Sequence, residues 1–173
     1  ERTEHLISLG SIHPAGLIRE LVDNPEQQRS SGFQRNMQEN PNAGTQFAER
    51  LRGRPARSDD TPELARLRSE AYDRLYAESI VNFYKANWPR SPVTLETEGF
   101  GFKVGEFPPV LAPTLFIYGK NSGPFQNATL NDMWTWVEGD LTIHVLPGVG
   151  HGPHNEVPEF VTPRIVEWLE TGR

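Results

Sequence analysis

A continuous apolar run in the second half of the chain constrains the fold more than any other stretch. Residues Thr114–Gly119 read Thr-Leu-Phe-Ile-Tyr-Gly and follow a proline. An unbroken apolar run of this length, ending in glycine, is typical of a strand that is buried on both faces of a parallel sheet. The stretch therefore predicts a central strand that other elements cover on each side.

The pattern around this strand agrees with a parallel sheet. Residues 5–10 form another short apolar run, for which the preceding residues offer no partner strand. Strands that alternate with helices predict an α/β fold, in which functional loops follow the carboxyl ends of the strands. Loops at 119–124 and 147–154 fall at such ends. The predicted elements of this pattern are strands at 5–10, 114–119 and 141–146 and helices at 129–137 and 158–169.

Helices dominate the prediction between the first strand and the central one. Asn24 as a cap and Pro25 as a first helical residue predict two successive helices, at 15–23 and 25–39. A threonine-proline pair then begins a longer helix, whose apolar spacing runs from 61 to 86. The first half of the chain is therefore predicted to be mainly helical.

Two other stretches are predicted to be irregular. Residues 40–60 carry prolines and glycines among arginines, so this part is predicted to have the least structure. Residues 89–113 are rich in proline and predict a linker, with a turn at 99–102. The arginines favour a solvated surface over an anion site. They are Arg50, Arg52, Arg54 and Arg57.

Composition narrows the classes of function. A net charge of -6 argues against a nucleic acid or an anionic membrane as partner. The chain has no cysteine and its histidines lack helical i,i+4 spacing, which excludes disulfides and zinc-thiolate sites. A hydrophobic content of 36% is lean and favours a surface made for a protein partner. A cytoplasmic location is expected, with Glu1 a start within a longer protein.

A histidine in a glycine-rich loop is the main candidate for chemistry. Residues 146–154 read Leu-Pro-Gly-Val-Gly-His-Gly-Pro-His and follow a predicted strand. His151 on such a loop can approach a substrate, and an imidazole titrates near neutrality, which suits a general base. His154 is predicted to support the entry to the next helix. Structural roles are predicted for the other three histidines: His5, His13 and His144.

These residues carry a resemblance to a known superfamily. The stretch 112–119, the motif 147–151 and the pair Pro158-Glu159 resemble the C-terminal third of α/β-hydrolases. The stretches 12–14, 24–27 and 81–88 are similar to the branch that holds epoxide hydrolases and haloalkane dehalogenases. The resemblance covers nearly the whole chain. It implies the C-terminal part of an α/β-hydrolase fold with a core strand at 1–11, a helical cap at 12–92, a linker at 93–109 and a core segment at 110–173.

The resemblance also implies roles for individual residues. His151 matches the family's catalytic histidine, which activates the water that hydrolyses a covalent ester intermediate. Tyr84 matches the cap tyrosine that, in epoxide hydrolases, donates a hydrogen bond to the epoxide oxygen as charge builds there. This chemistry needs only side chains and water, so no cofactor or metal is expected. A small apolar substrate is expected, with four residues as its contacts or equally as core: Phe33, Met37, Phe83 and Trp88.

The chain departs from the family pattern in three ways. The position of the family's second cap tyrosine is Phe33, and a phenyl ring cannot donate a hydrogen bond. The acid that orients the histidine is missing, and only Asn121 or Ser122 stands near its place. Either could accept a hydrogen bond from His151, but neither balances an imidazolium charge. The nucleophile turn and the oxyanion loop are also absent.

Three interpretations follow from these departures. In the first, a separate chain supplies the N-terminal half of the fold with the nucleophile, and the two chains together form an epoxide hydrolase-like enzyme. In the second, the protein is a degenerate member that binds a small ligand or catalyses a cyclase or lyase step, which the missing acid favours. A module that binds a protein through the arginine-rich stretch is the third.

Overall fold

The structure, a computed structural model, describes residues 3–53, 60–71 and 74–171, with the backbone alone at 74–76. Two compact units divide the chain: Gly32–Trp88, called here the helical unit, and Glu1–Ser31 with Pro89–Arg173, called the sheet unit. The strands are β1 (Leu6–Leu9), β2 (Thr114–Gly119) and β3 (Leu141–Leu146). The helices are α1 (Pro14–Asp23), α2 (Pro25–Ser30), α3 (Gly32–Glu39), α4 (Ala43–Arg52), α5 (Pro62–Ala71), α6 (Arg74–Asn87), α7 (Pro153–Glu156) and α8 (Pro158–Thr171).

The three strands form one parallel sheet in the order β1-β2-β3. Thr114 at the start of β2 lies opposite Leu6 on one side and Leu141 on the other. Every residue of β2 is buried, as the continuous apolar run predicts. The parallel sheet confirms the predicted α/β class. Within the described residues, no strand pairs with the outer edge of β1.

Apolar side chains cover β2 on both faces, which explains why its sequence does not alternate with polar residues. Successive strand residues point to opposite faces, so Phe116 enters one cluster while Leu115 and Ile117 enter the other. The cluster around Phe116 is completed by Ala15, Met133 and Trp136. The cluster on the other face contains Val161 and Trp168 of α8.

Two predictions in the first half are wrong in detail. The predicted helix at 25–39 is broken at Ser31, whose hydroxyl accepts a hydrogen bond from Gln27 Nε2 (2.9 Å). Residues 40–60 contain the helix α4, which begins after a turn in which Asn40 Oδ1 accepts from the Asn42 N–H (2.9 Å). Such side-chain bonds end and start helices locally. Arg54 and Arg57 lie outside the described residues, as do 72–73 between α5 and α6.

The predicted helix at 129–137 is also wrong. Two 3₁₀ turns, Asn127–Leu130 and Met133–Thr135, take its place. Asp132 between them has a left-handed backbone with φ of 57°, which an α-helix does not accommodate. The Arg19 guanidinium donates to the carbonyls of Ala128 (2.9 Å) and Asn131 (3.0 Å), and the Ala128 carbonyl also accepts the Asn131 N–H (3.0 Å) in the first 3₁₀ turn.

The helical unit is shorter than the cap predicted at 12–92. Helices α1 and α2 group with the sheet, because Ala15 of α1 is buried in the cluster that contains Phe116. Within the predicted linker, Gly99 and Phe102 form the expected turn, with Phe100 and Gly101 at positive φ. None of the helices in the described ranges has both the length and the apolar character of a membrane span.

Candidate active site

The loop that carries His151 rests directly on the carboxyl ends of β1 and β2. Gly10 follows β1 at a φ of 66°, and a Cβ there would lie 2.0 Å from the carbonyl oxygen of His151. A Cβ on Gly119, the last residue of β2, would lie 1.8 Å from the carbonyl oxygen of Gly150. Neither position can hold a side chain without displacing the loop. The two glycines therefore bring the histidine to the sheet edge, where sites of α/β folds form.

Ser122 is the residue that meets His151. Its hydroxyl lies 3.3 Å from the Nδ1 atom of the histidine, and the serine is only 7% exposed. The Asn121 side chain is exposed, and no hydrogen bond joins it to His151 in the described structure. The Asn121 backbone N–H instead donates to the carbonyl of Val149 (2.8 Å) and so holds the histidine loop.

The surroundings of His151 lower its pKa below the ordinary value. The main cause is partial burial of the ring, which penalises the charged imidazolium although the residue as a whole is exposed. The negative charge of Glu156 and a hydrogen bond to the Gly10 backbone act in the opposite direction, and His154 lowers the pKa further. The Phe125 ring packs edge-on against the imidazole, with centroids 5.4 Å apart. A histidine in this setting is neutral near pH 7 and able to accept a proton.

Glu156 is a contact of the histidine loop that the sequence interpretation missed. Its carboxylate accepts hydrogen bonds from the backbone N–H of Gly150 (2.7 Å) and of Gly152 (3.1 Å), the two neighbours of His151. The carboxylate thus holds the loop on both sides of His151 and places a negative charge near the imidazole. The sequence offered one signal for this contact, an acid three residues after a proline that can begin a helix. A solvated surface acid explains that signal equally well.

Gln27 is a second missed contact. It is fully buried, and its Nε2 donates to Ser31 Oγ and to the carbonyl of Pro124, both at 2.9 Å. Its Oε1 accepts from the Gln126 N–H at 2.7 Å. Every polar atom of this buried amide is therefore satisfied, as burial requires. The amide ties α2 to the loop after β2, which carries Ser122.

The residues predicted in the cap gather in one aromatic cluster of the helical unit. Phe33 and Tyr84, which the sequence predicts at the positions of two cap tyrosines, meet edge to face with centroids 5.8 Å apart. Phe83 and Trp88 also contact Tyr84, at 5.4 and 6.0 Å. Met37 is only 3% exposed and lies in the core of this unit. Burial raises the pKa of Tyr84, so the phenol keeps the proton that a hydrogen-bond donor needs.

Three of the other histidines, His13, His144 and His154, have structural contacts. His13 caps α1, where its Nδ1 accepts from the Ala15 N–H (3.2 Å), and its ring stacks on Trp136 at 5.2 Å. Burial lowers the pKa of His13 to about 4. His144 contacts Phe160 edge-on, and His154 hydrogen-bonds Asn155 (2.8 Å). The described residues contain no group of three side chains arranged to bind a metal.

Solved structures of known proteins identify the fold that contains this site. No protein-family model matches the sequence, and no curated protein matches it. An epoxide hydrolase of the α/β-hydrolase superfamily from metagenomes of hot environments superposes with a TM-score of 0.73 at 21% identity. A mutant epoxide hydrolase from Bacillus megaterium, bound to its naphthyloxy-propanediol product, superposes with a TM-score of 0.75 at 17% identity. The chain has part of an α/β-hydrolase fold.

The match is almost complete for this chain but partial for its structural neighbours. The superpositions cover 97% and 98% of this chain, but only 59% and 61% of the metagenomic and Bacillus enzymes. An esterase from Thermogutta terrifontis has a TM-score of 0.51 at 20% identity, covering 98% of this chain and 56% of its own. The chain thus spans about three fifths of these α/β-hydrolases, most of which are epoxide hydrolases.

Proposed function

We propose that this chain is the C-terminal part of an α/β-hydrolase that opens epoxides, with His151 as the general base. One observation carries the proposal: His151 stands on a loop at the carboxyl edge of the sheet, with its Nδ1 atom 3.3 Å from the Ser122 hydroxyl. A partner on Nδ1 directs Nε2 outward as the atom that takes a proton from water. The superposition on epoxide hydrolases supports the reaction class.

The proposed reaction has two steps. First, a carboxylate outside this chain attacks an epoxide carbon, the C–O bond breaks, and Tyr84 donates to the oxygen that gains charge. Second, water adds to the resulting ester while His151 Nε2 takes a proton from it, and the ester C–O bond then breaks. The two protons of the water, one of them returned by His151, pass to the two oxygens of the departing diol, which restores the carboxylate. The raised pKa of Tyr84 agrees with a donor that is protonated throughout.

The nucleophile is proposed to come from the N-terminal half of the fold, supplied as a separate chain. The outer edge of β1 supports this, because no strand pairs with it in the described residues. Unpaired N–H and C=O groups on a strand edge favour the addition of a further strand. Intact-mass spectrometry of the native protein tests the arrangement. A second polypeptide of similar size supports it, whereas this chain alone, folded and monomeric, contradicts it.

A naphthyl glycidyl ether is a suitable substrate for testing the reaction. The Bacillus enzyme binds a naphthyloxy-propanediol, and such a diol arises when water opens the matching epoxide. The aromatic cluster around Tyr84 offers the apolar surface that such a ring would contact. In the assembled protein, His151→Ala should abolish diol formation and leave the melting temperature nearly unchanged. His154→Ala, which alters an exposed neighbouring histidine, is the matched control.

Tyr84→Phe tests the epoxide branch more sharply. It removes only the phenol hydroxyl, so epoxide opening should fall while hydrolysis of a naphthyl ester is retained. Loss of both activities would point to a packing defect, and loss of neither would remove Tyr84 from the reaction.

A second candidate is a degenerate hydrolase fold that acts as a cyclase or lyase, or binds a small ligand without hydrolysing it. The observation in its favour is Ser122, because a neutral hydroxyl does not stabilise the imidazolium that hydrolysis produces. Saturable binding of the naphthyloxy-propanediol, with epoxide turnover equal in the native protein and in His151→Ala, would favour this candidate.

A further inference from the structure

Two side chains of the loop after β2 meet the His151 imidazole. Ser122 contacts its Nδ1 atom at 3.3 Å, and the Phe125 ring packs edge-on against it with centroids 5.4 Å apart. We propose that Gln27 is a positioning residue for the candidate base: its buried amide fixes the backbone around Phe125 and so holds that ring against the imidazole. The inference rests on the proposed function, since it takes His151 as the base, but its test does not depend on turnover.

The Gln27 amide binds the backbone on both sides of Phe125. Its Nε2 donates to the carbonyl of Pro124 at 2.9 Å, and its Oε1 accepts from the N–H of Gln126 at 2.7 Å. Two bonds that flank one residue restrict its backbone and with it the direction of its Cα–Cβ bond. Because side chains occupy only a few rotamers, the ring of Phe125 then has few positions open to it.

The orientation of the Gln27 amide is fixed by what surrounds it. The residue is fully buried, so a lost hydrogen bond would leave a polar atom without water to replace the partner. Its Nε2 also donates to Ser31 Oγ at 2.9 Å. A reversed amide would set an oxygen against the Pro124 carbonyl and an N–H against the Gln126 N–H. The amide therefore has one satisfactory orientation, and that orientation ties it to the loop.

Other bonds hold the same segment from different sides. The Tyr118 hydroxyl donates to the carbonyl of Phe125 at 2.7 Å. Gln126 Nε2 donates to the Ser30 hydroxyl at 2.6 Å, so α2 contacts the segment a second time. Gln27 differs from these anchors because it binds on each side of Phe125. We therefore expect its loss to free the ring more than the loss of either other bond.

The Phe125 ring covers part of the imidazole and so contributes to its burial. Edge-on rings at 5.4 Å are in favourable contact. Burial is the main cause of the lowered pKa of His151; the charge of Glu156 and the hydrogen bond to the Gly10 backbone oppose it, and His154 adds to it. These three other influences lie on other segments of the chain. A displaced ring should therefore leave the imidazole more exposed and raise its pKa.

Proton NMR of the imidazole tests the role of Gln27 without substrate. Phe125→Leu keeps apolar bulk but removes the aromatic ring, so the resulting change in the His151 ring-proton shifts measures the contribution of that ring. Gln27→Met keeps the size of the side chain but removes its bonds to Pro124 and Gln126. It should move the His151 signals toward their values in Phe125→Leu and raise the pKa of His151. Exchange of the Gln126 amide should become about fivefold faster, the effect of one ordinary hydrogen bond.

Two control variants separate this role from general packing. Gln28→Met makes the same change on the same helix, at an amide that donates to carbonyls of α1 at 2.9 and 3.2 Å. Ser31→Ala removes the third bond of Gln27 and leaves its two loop bonds in place. Neither variant should move the His151 signals. If Gln27→Met does not fold, Gln27→Asn replaces it, because this shorter amide keeps the buried site polar but cannot reach both loop groups.

A double variant shows whether Gln27 acts through the ring. Once Phe125→Leu has removed the ring, adding Gln27→Met should change the His151 signals and pKa no further, so the two effects are not additive. Two results would overturn the inference. One is a Gln27→Met protein whose His151 signals are those of the native protein. The other is a Gln27→Met effect on His151 that is equally large in the Phe125→Leu background.

Because no substrate is used, the outcome is independent of the hydrolase proposal. The expected shifts in a protein that turns over no epoxide would uphold the role of Gln27 in placing the ring and would remove the proposed function. Epoxide turnover by the native protein, with His151 signals that Gln27→Met does not move, would do the reverse.

Discussion

The Ser122 hydroxyl lies 3.3 Å from Nδ1 of His151 across a separation of 29 residues. The glycine that ends β2 comes three residues before Ser122, and the hydrolases that the sequence resembles are expected to carry an acid at that spacing. A hydroxyl in this place can accept from the imidazole but cannot balance its charge. The contact therefore gives the candidate base a neutral partner, while burial is the main cause of its lowered pKa.

Ser122→Asp should restore a charge partner to the histidine. An anion within hydrogen-bond distance stabilises the imidazolium, so the pKa of His151 should rise relative to the native protein. Epoxide turnover should rise by about tenfold or more, since loss of the acid from a serine-protease triad costs about 10⁴ in kcat. Histidine NMR titration and diol formation measure the two effects. Asn121→Asp, next to it but exposed, should change neither by a comparable amount.

Gly119→Ala should displace the histidine loop. The new Cβ would lie 1.8 Å from the Gly150 carbonyl oxygen, which is backbone and cannot rotate away. Overpacking of this kind costs about 1–3 kcal/mol. Urea unfolding should show this loss, and the His151 NMR signals should move. Gly123→Ala is the control, since nothing lies within 4 Å of a Cβ there. Equal stability of the two variants would contradict the prediction.

Glu156→Gln should lower the pKa of His151. The substitution keeps an acceptor for the N–H of Gly150 or Gly152 but removes the negative charge that raises the pKa of the imidazole. Glu156→Ala should lower the pKa as well and also speed amide exchange at Gly150. Glu159→Gln serves as control, because it removes a nearby acid that has no hydrogen bond to the loop in the described structure. If Glu156→Gln left the pKa of His151 unchanged, the charge of Glu156 would have no effect on the imidazole.

His13 should make the stability of the sheet unit depend on pH. Its pKa is about 4 in the folded protein and 6.5 in an unfolded chain, so between these values only the unfolded chain is protonated. Stability is therefore complete above pH 6.5 and falls as the pH drops toward 4, by up to about 3 kcal/mol. His13→Asn keeps a helix cap but does not titrate. Urea unfolding at pH 7 and pH 4.5 should show a smaller loss for this variant.

The strands and the position of the candidate base follow from local sequence. The apolar run of β2 predicts a buried strand because apolar side chains on both faces of a strand must pack against other elements. The prediction does not depend on which elements those are. His151 stands out because glycines and prolines end β3 and begin a loop there. The predicted helix at 129–137 failed because Asp132 has a left-handed backbone between two 3₁₀ turns, which no local pattern in the sequence indicates.

The partners of the base follow only from tertiary structure. Sequence spacing left Asn121 and Ser122 as equal candidates for the partner of the histidine. In the structure, the turn after Gly119 directs Ser122 toward His151 and leaves Asn121 exposed to solvent. Gln27 and Gln126 are 99 residues apart, and the sequence around neither residue predicts the hydrogen bond between them. Sequence alone thus indicated His151 as the candidate base. The fold decided what orients that residue, because hydrogen bonds between distant segments exist only once the strands and helices have packed.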